Sequence, residues 1–514
     1  MSNKSNQSKK NEKNSNCSQY GYLKDKIVLT VGYGISGKKI SELVKRQSGT
    51  TYIFDNNKDV VVDKNYVDKT YSNPDEISWK EINVVVLSPG VPLDTDIVLK
   101  AKENGVEVIG EIEFAYRYSK GTILGITGTN GKTTTTQILG NICKHNEKGN
   151  EYTLGNIGEP FTAVADKLEN EDVVALELSS FQLETIKDFR PKISAVLNIT
   201  EDHLNRHKTM KNYVNAKFNI CKNQSEGDYI ILNIADEYIT DYVTNNYISP
   251  DLRIIWFSAK LNKEEIEDKI EEISKKMYDY VLSHTDFSDE KSIKEFKSNY
   301  ASKYMIKRYT YESDGNILLC DDERDVKDIK IVSKENIHVP GKHNVENIMV
   351  ASIASYYYGI TIENIEDSVS NFYGVEHRIE YIGEKNGVKY YNDSKATNPD
   401  AAVIGVKAMN RPTIVLLGGS DKKVSFDILA KTILESNVKE SIVYGECKED
   451  IIASLKKYNS KIVVAENMQN AFEKAVSDAK KGDTILLSPG CASFDEFKGY
   501  EQRGEFFKKL YEEL

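Results

Sequence analysis

Cysteine pairs, basic patches and long apolar runs are all missing from this 514-residue chain, and each absence removes a class of function. The six cysteines, Cys17, Cys143, Cys221, Cys320, Cys447 and Cys491, are scattered singly with no C-x-x-C pair. That spacing argues against a zinc ribbon or a dithiol redox motif and predicts free thiols in a reducing cytoplasm. No stretch approaches the roughly 18 apolar residues of a membrane span, and the Asn-, Ser- and Lys-rich N-terminus lacks the apolar core of a secretion signal. A cytoplasmic protein without membrane insertion is expected. Lys and Arg total 68 against 79 Asp and Glu, a net charge of -11. With no strong basic patch in the part expected to fold, that acidity disfavours nucleic acid as a partner. No internal repeat is visible.

The chain has a globular balance, 39% apolar and 29% charged, and its length argues for about three domains. Residues 1 to about 20 are polar and of low complexity, a loose tail that cannot bury enough surface to offset ordering. From Lys26 the pattern changes to short apolar runs that end in glycine or serine and precede amphipathic stretches of helical length. KIVLTVGYG, TYIFD, INVVVLSPG, TILGITGTNG, DVVALELSS, ISAVLNIT, DYIILN, TIVLLGGSD, SIVYGE and DTILLSPG read as buried strands. Buried strands alternating with helices predict parallel sheets covered on both faces, an α/β fold. Residues 260–309 interrupt the rhythm, rich in Lys, Glu and Tyr and without Gly or Pro. Ile266, Ile270, Ile273 and Met277, then Ile293, Phe296, Tyr300 and Tyr304, fall at helical spacing. Two inserted amphipathic helices are expected there, a surface elaboration whose removal spares catalysis.

Two glycine-rich turns stand out. Gly32-Tyr33-Gly34-Ile35-Ser36-Gly37 fits G-x-G-x-x-G between a strand and a helix, and Asp55 ends the next strand. Such a turn lets backbone amides approach a diphosphate, and the carboxylate can accept from a ribose or base; the pattern suits a dinucleotide cofactor and a UDP-linked substrate equally, with tight strand-helix packing as the plainer alternative. Ser88-Pro89-Gly90 would line the same crevice. The second turn, Gly128-Thr129-Asn130-Gly131-Lys132-Thr133-Thr134, follows the apolar run Ile123–Ile126. Its amides can cradle phosphates, Lys132 can reach the β and γ groups, and the Thr133 hydroxyl can ligate Mg²⁺.

Glu177 ends a buried strand in LELSSFQLE, and His203 sits in the loop NITEDHLNRH after another. A carboxylate and an imidazole at neighbouring strand ends are suited to a metal that neutralises phosphate charge, although a lone loop histidine is commonly just that. Lys217, in YVNAK, reads as a solvated helix lysine. The last third carries GKHN, His377-Arg378, NDSKATN, GGSDK and SPGCAS, each after an apolar run, and their shared position suggests one pocket.

Together, GTNGKTT, LELSSFQLE, TEDHLNRH with YVNAK, NDSKATN and LLSPGCASFDEFKGYEQRG resemble the Mur ligases of peptidoglycan synthesis, and within them the D-glutamate-adding branch. The resemblance runs from about Lys26 to the C-terminus, apart from residues 260–309. It implies three domains: a UDP-binding Rossmann-like domain at 21–111, a central P-loop ATPase domain at 112–374 with the helical insertion, and a C-terminal Rossmann-like domain at 375–514. It implies ATP, two Mg²⁺ ions, UDP-N-acetylmuramoyl-L-alanine and D-glutamate as the bound species, with the chain a monomer. ATP would activate the donor carboxylate as an acyl phosphate for attack by the amine.

Carried over by motif, ATP falls to Gly128, Thr129, Asn130, Gly131, Lys132, Thr133 and Thr134, with Asn344, Asn347, Arg378 and Asp393. The metal ions fall to Thr133, Glu177, His203 and Lys217, the lysine carbamylated. The catalytic set is Lys132, Glu177, His203, Lys217 and Lys395. The UDP-linked donor falls to Ile35, Ser36, Asp55, Gly90, Asn156 and His203. Thr397, Lys422, Ser493 and Phe494 would bind D-glutamate, with Lys422 on its side-chain carboxylate. Three departures stand out: Asn57 where an arginine can contact uracil, Asn205 where aspartate is common, and Tyr500 where phenylalanine packs near D-glutamate. A sibling ligase or a folylpolyglutamate-synthase-like enzyme would share the ATPase core. An NAD-dependent dehydrogenase would have no use for GTNGKTT with Glu177 and His203. A silent nucleotide-binding regulator would be expected to have lost one of Lys132, Glu177, His203 or Lys395.

Overall fold

Runs of branched residues, buried on both faces, build three sheets in a computed structural model that describes residues 23–285, 290, 293–294, 297, 303–420, 424–458 and 461–514. The tail expected to be loose lies outside the described residues. The first sheet comprises β1 (Ile27–Val31), β2 (Thr50–Phe54), β3 (Lys69–Tyr71), β4 (Val84–Leu87) and β5 (Glu107–Gly110). Its order is β3-β2-β1-β4-β5, and every pairing is parallel.

The second sheet contains β6 (Thr122–Thr127), β7 (Glu151–Gly155), β8 (Val173–Glu177), β9 (Ile193–Val196), β10 (Tyr229–Asn233), β11 (Arg253–Ser258), β12 (Arg308–Ser313), β13 (Asn316–Asp321) and β14 (Val326–Ser333). The order is β14-β13-β12-β11-β10-β9-β6-β8-β7. Pairing is parallel from β7 to β12 and antiparallel through β13 and β14, a meander absent from the sequence reading. The third sheet holds β15 (Glu380–Lys385), β16 (Val388–Asn392), β17 (Thr413–Gly418), β18 (Val438–Tyr444), β19 (Ile462–Val464) and β20 (Thr484–Leu487). It is ordered β15-β16-β20-β17-β18-β19, parallel except at its β15 edge.

In parallel sheets ligands bind beyond the carboxyl ends of the strands, where the order of connection reverses. In the first sheet that point lies between β1 and β4, so residues 32–37 face residues 88–91. In the second it lies at β6, flanked by β8 and β9. The loop after Thr127 therefore opens between the chain after Glu177 and the chain after Val196.

Residues 260–309 differ from expectation. The helix Lys263–His284 opens with a capping box between Asn262 and Glu265 and buries Ile266, Ile270, Ile273, Met277 and Val281 in the same apolar cluster as Trp256 and Tyr309. It lies in the crossover between β11 and β12, which pair in parallel. The segment is thus built into the core rather than laid on its surface, and removing 261–305 would strip those five side chains from it. The second expected helix lies mostly outside the described residues. Replacing fully buried Ile270 with Ala is expected to cost about 2–5 kcal/mol, read as a lower urea midpoint with an unchanged slope.

The five described cysteines are unpaired and buried. Among the described residues no helix is long and apolar enough to cross a membrane.

Candidate active site

The loop after β6 is shaped by two glycines with positive φ, Gly128 at 154° and Gly131 at 84°. A Cβ on Gly131 would lie 2.4 Å from Asn347 Oδ1, so only glycine admits the approach of the helix Lys342–Tyr358. Gly131 caps the helix Lys132–Cys143, whose first amides have no intrahelical partners and are available to an anion. The register explains the support on the β9 side: Thr127 pairs with Val196, which places Leu197 and Asn198 beside Gly128 and Thr129. Asn198 receives the Asn130 amide at 2.8 Å and donates its side-chain amide to the Asn130 carbonyl at 3.1 Å. Thr129 Oγ1 lies 3.1 Å from the Tyr213 hydroxyl and accepts from the Thr200 amide at 3.0 Å. Lys132 folds back to donate to the carbonyls of Gly128 (2.9 Å) and Thr129 (2.8 Å). Burial lowers its pKa; Glu177 and Asp202 oppose the shift, and Arg378 adds to it.

On the β8 side, Glu177 is level with Ile126 and Gly155. Its Oε1 accepts from Asn156 Nδ2 at 2.9 Å, while Oε2 is buried without a partner among the described residues. An orphaned carboxylate oxygen beside a phosphate-type loop is a fitting cation ligand. His203 caps the short helix Leu204–His207 in the left-handed region, with its Nε2 3.4 Å from Asp202 and its ring 4.9 Å from that of Phe181.

Lys217 is not the solvated lysine its helix position suggested. It is 1% exposed, donates to the Gly128 carbonyl at 2.7 Å and lies 4.5 Å from the centre of the Tyr213 ring. Burial, with the charge of Lys132 adding to it, pushes its pKa down to about 6 against a smaller opposing effect of Asp202. The amine is therefore mostly uncharged at neutral pH.

A cavity of about 220 Å³ adjoins the loop, lined by Asn130, Gly131, Asn344, Asn347 and Arg378 among others. Asn347 accepts from Thr135 Oγ1 at 3.1 Å and donates to Asn344 Oδ1 at 3.1 Å, tying the two asparagines to the loop helix. Arg378 reaches this wall from just before β15. Lys395 follows β16, and its pKa is lowered by burial and then by Arg378, against Glu177 and Glu501. Lys132, Glu177, Arg378 and Lys395 thus share one electrostatic environment although they derive from two sheets.

Comparison with known proteins accords with this arrangement. The family model described as "Mur ligase middle domain" matches residues 126–311, and "Mur ligase, glutamate ligase domain" matches 377–491. The chain is 37% identical over 503 residues to a UDP-N-acetylmuramoylalanine--D-glutamate ligase of Caldanaerobacter subterraneus subsp. tengcongensis, covering 96% of this chain and 99% of the relative. It is 38% identical over 503 residues to the protein of that name from Lachnospira eligens, at 96% and 100% coverage. The chain belongs to the Mur ligase family. Among solved structures, the UDP-N-acetylmuramate-alanine ligase MurC of Thermotoga maritima shares the fold with a TM-score of 0.51 and 16% identity, covering 95% of this chain and 99% of that one. A MurF ligase of the same organism, solved in complex with ADP, reaches 0.50 at 16% identity, with 96% of each chain covered.

Other residues singled out from the Mur ligase motifs have mixed surroundings. Asp393 is buried, accepts from the Ile379 amide (3.2 Å) and Ser488 Oγ (2.7 Å), and is pushed up to about 7 by burial. It is not among the residues lining the cavity. At the first sheet a 490 Å³ cleft is lined by Gly32, Asp55, Asn56 and Gly90 among others. Both Asp55 oxygens already accept backbone amides, from Tyr33 and Asn57 at 2.9 Å each, and still have lone pairs for a ligand. Ile35 and Ser36 open the helix Ile35–Arg46, with Ile35 exposed. Thr397 is half-buried, Ser493 is buried and Phe494 is exposed in the loops after β16 and β20. Lys422 lies outside the described residues.

Motif reading missed Asn198, Tyr213 and Arg206. The Arg206 guanidinium binds Glu184 at 2.6 Å and donates to the carbonyls of Pro89, Gly90 and Val91, joining the first-sheet cleft to the His203 helix. Its signal, the RH pair in NITEDHLNRH, lay within a string already singled out.

Proposed function

We propose that this Mur ligase forms an amide bond between UDP-N-acetylmuramoyl-L-alanine and D-glutamate at the expense of ATP. The observation that carries the reading is the similarity, spanning nearly the full length of both chains, to D-glutamate ligases; the charges of Glu177 and Arg378 acting on both Lys132 and Lys395 support it. A carboxylate is a poor electrophile. Transfer of the γ-phosphoryl group breaks its bond to the β-phosphate oxygen and gives an acyl phosphate and ADP. The uncharged amine of D-glutamate then forms the C–N bond, loses a proton, and phosphate leaves.

Anions must converge for these steps. Gly128 to Thr134 and Lys132 take the phosphates, Asn344 and Asn347 face the nucleotide, and Arg378 and Lys395 bring charge from the third sheet. Thr133, Glu177, His203 and a carbamylated Lys217 would hold Mg²⁺, which when bound neutralises phosphate charge. The orphaned Glu177 Oε2 fits that donor set. An uncharged Lys217 amine is the form that adds CO2, creating an N–C bond and releasing a proton; the carbamate would put anionic, carboxylate-like oxygens in place of a neutral amine, a harder ligand for Mg²⁺.

Ile35, Ser36, Asp55, Gly90, Asn156 and His203 would hold the donor, and Thr397, Lys422, Ser493 and Phe494 the acceptor. A lysine left unpaired by an acceptor lacking a side-chain carboxylate gives selectivity. The test is phosphate release with the donor, ATP and Mg²⁺. D-Glutamate is expected to support turnover, and L-glutamate, L-alanine, L-lysine and the absence of amine are not. Release with another amine alone would overturn the acceptor assignment; no release with any amine would overturn the reaction.

A further inference from the structure

Arg503, in the helix Tyr500–Glu512, is fully buried, and among the described residues no carboxylate is a hydrogen-bond partner of it. Removing a guanidinium from water is costly unless its five donors are satisfied. Here oxygens from the loops after β16 and β20 and from Gly418, the last residue of β17, do so. Nε donates to Ser394 Oγ at 3.0 Å and one terminal nitrogen to the Ser394 carbonyl at 2.8 Å. That same nitrogen reaches the Cys491 carbonyl at 3.0 Å, and the other reaches those of Ala492 (3.2 Å) and Gly418 (3.4 Å). The backbone is adapted to this approach. Gly419 has a φ of 141°, and a Cβ there would lie 2.0 Å from the Ala492 carbonyl and 3.1 Å from the guanidinium.

The three loops follow β16, β17 and β20, three adjacent strands. They carry Lys395 and Thr397, then Ser420, then Ser493. The loops are also joined directly: the Ser420 amide donates to the Ala492 carbonyl at 2.9 Å, and Ser420 Oγ receives the Asp495 amide at 2.8 Å. A rigid fork that bonds all three loops sets their separation, which a flexible ammonium cannot reproduce.

The geometry points to Arg503 as a positioning residue for the amine acceptor: it touches no substrate but holds the acceptor loops in register. This rests on the reaction proposed above. It implies that losing the fork impairs amine capture more than acyl phosphate formation: Asp393 and Lys395, which flank Ser394, adjoin a forked loop, whereas the phosphate loop and Glu177 follow strands of the second sheet.

The test compares the full-length wild type with Arg503→Lys in two assays. One measures the KM for D-glutamate in complete turnover. The other measures acyl phosphate formed from ATP and donor without amino acid, trapped as a hydroxamate by hydroxylamine. Arg503→Lys is expected to raise the KM at least about tenfold while trapping stays within about twofold. Equal loss in both assays, or an unchanged KM, overturns the inference. Should Arg503→Lys not fold, Ser394→Ala removes one acceptor of the fork and is expected to raise the KM about threefold with trapping preserved; an unchanged KM there overturns it equally. If the wild type turns over with another amine, the KM for that amine is read instead. A wild type that forms no amide with any amine refutes the reaction assignment and this inference with it, whereas a competent wild type with an unmoved variant refutes the inference alone.

Discussion

Replacing Lys132 by alanine is expected to lower ATP-dependent phosphate release by about a thousandfold or more, because a cation aimed at developing phosphate charge in a water-poor site is not replaced by solvent. The Lys132 side-chain nitrogen donates to the Gly128 and Thr129 carbonyls. Those bonds are weak competitors for a polyphosphate, so the side chain is poised to turn outward. The glycines, the Asn198 bonds and the helix start remain in the variant, and thermal unfolding should be little changed. Near-normal phosphate release from a folded Lys132→Ala protein would remove the basis for assigning the phosphate site to this loop.

Lys217→Ala is the second large effect. A loss of about a hundredfold or more is expected, since the carbamate would supply an anionic ligand that alanine cannot. The space left by the side chain should allow formate, acetate or bicarbonate to restore part of the activity. A ¹³C-bicarbonate NMR experiment on the wild type should show a carbamate signal that the variant lacks. Full activity of Lys217→Ala without added carboxylate would rule out the carbamate role. An uncharged Lys217 is what makes the modification accessible: burial acts first, and the neighbouring Lys132 charge disfavours a second cation. The group proposed to ligate a metal is held in the protonation state that reacts with CO2 at neutral pH.

The glycine-rich loop after β6 was legible as a turn because its requirements are local. Gly128 and Gly131 occupy backbone conformations that side chains resist, and an apolar run before them with a helix after them suffices to identify the turn. Glu177 was legible for a related reason, as the last residue of a buried strand carrying a carboxylate. Lys217 was not. Its helix, Met210–Phe218, places lysine among Tyr213, Val214 and Phe218, and sequence spacing does not reveal which long side chain turns inward. Only contact with the Gly128 carbonyl, 89 positions away, settles that.

Residues 260–309 show the same limit from the opposite direction. The apolar spacing of Ile266, Ile270, Ile273 and Met277 identified the helix, but a dense charged face made it look peripheral. Its place in the crossover between two paired strands brings that stripe into the core. Arg503 was present in the string EQRG and acquired meaning when three loops closed around it.

Backbone conformation, strand ends and helix starts are set by neighbours a few residues away, so the sequence was enough to locate the α/β architecture and the glycine-rich turn after β6. The protonation of Lys217, the unpaired oxygen of Glu177, the influence of Glu177 and Arg378 on both Lys132 and Lys395, and the fork of Arg503 depend on how deeply each charge is buried and what faces it. Those are properties of long-range packing, because desolvation and Coulomb interactions act through space rather than along the chain.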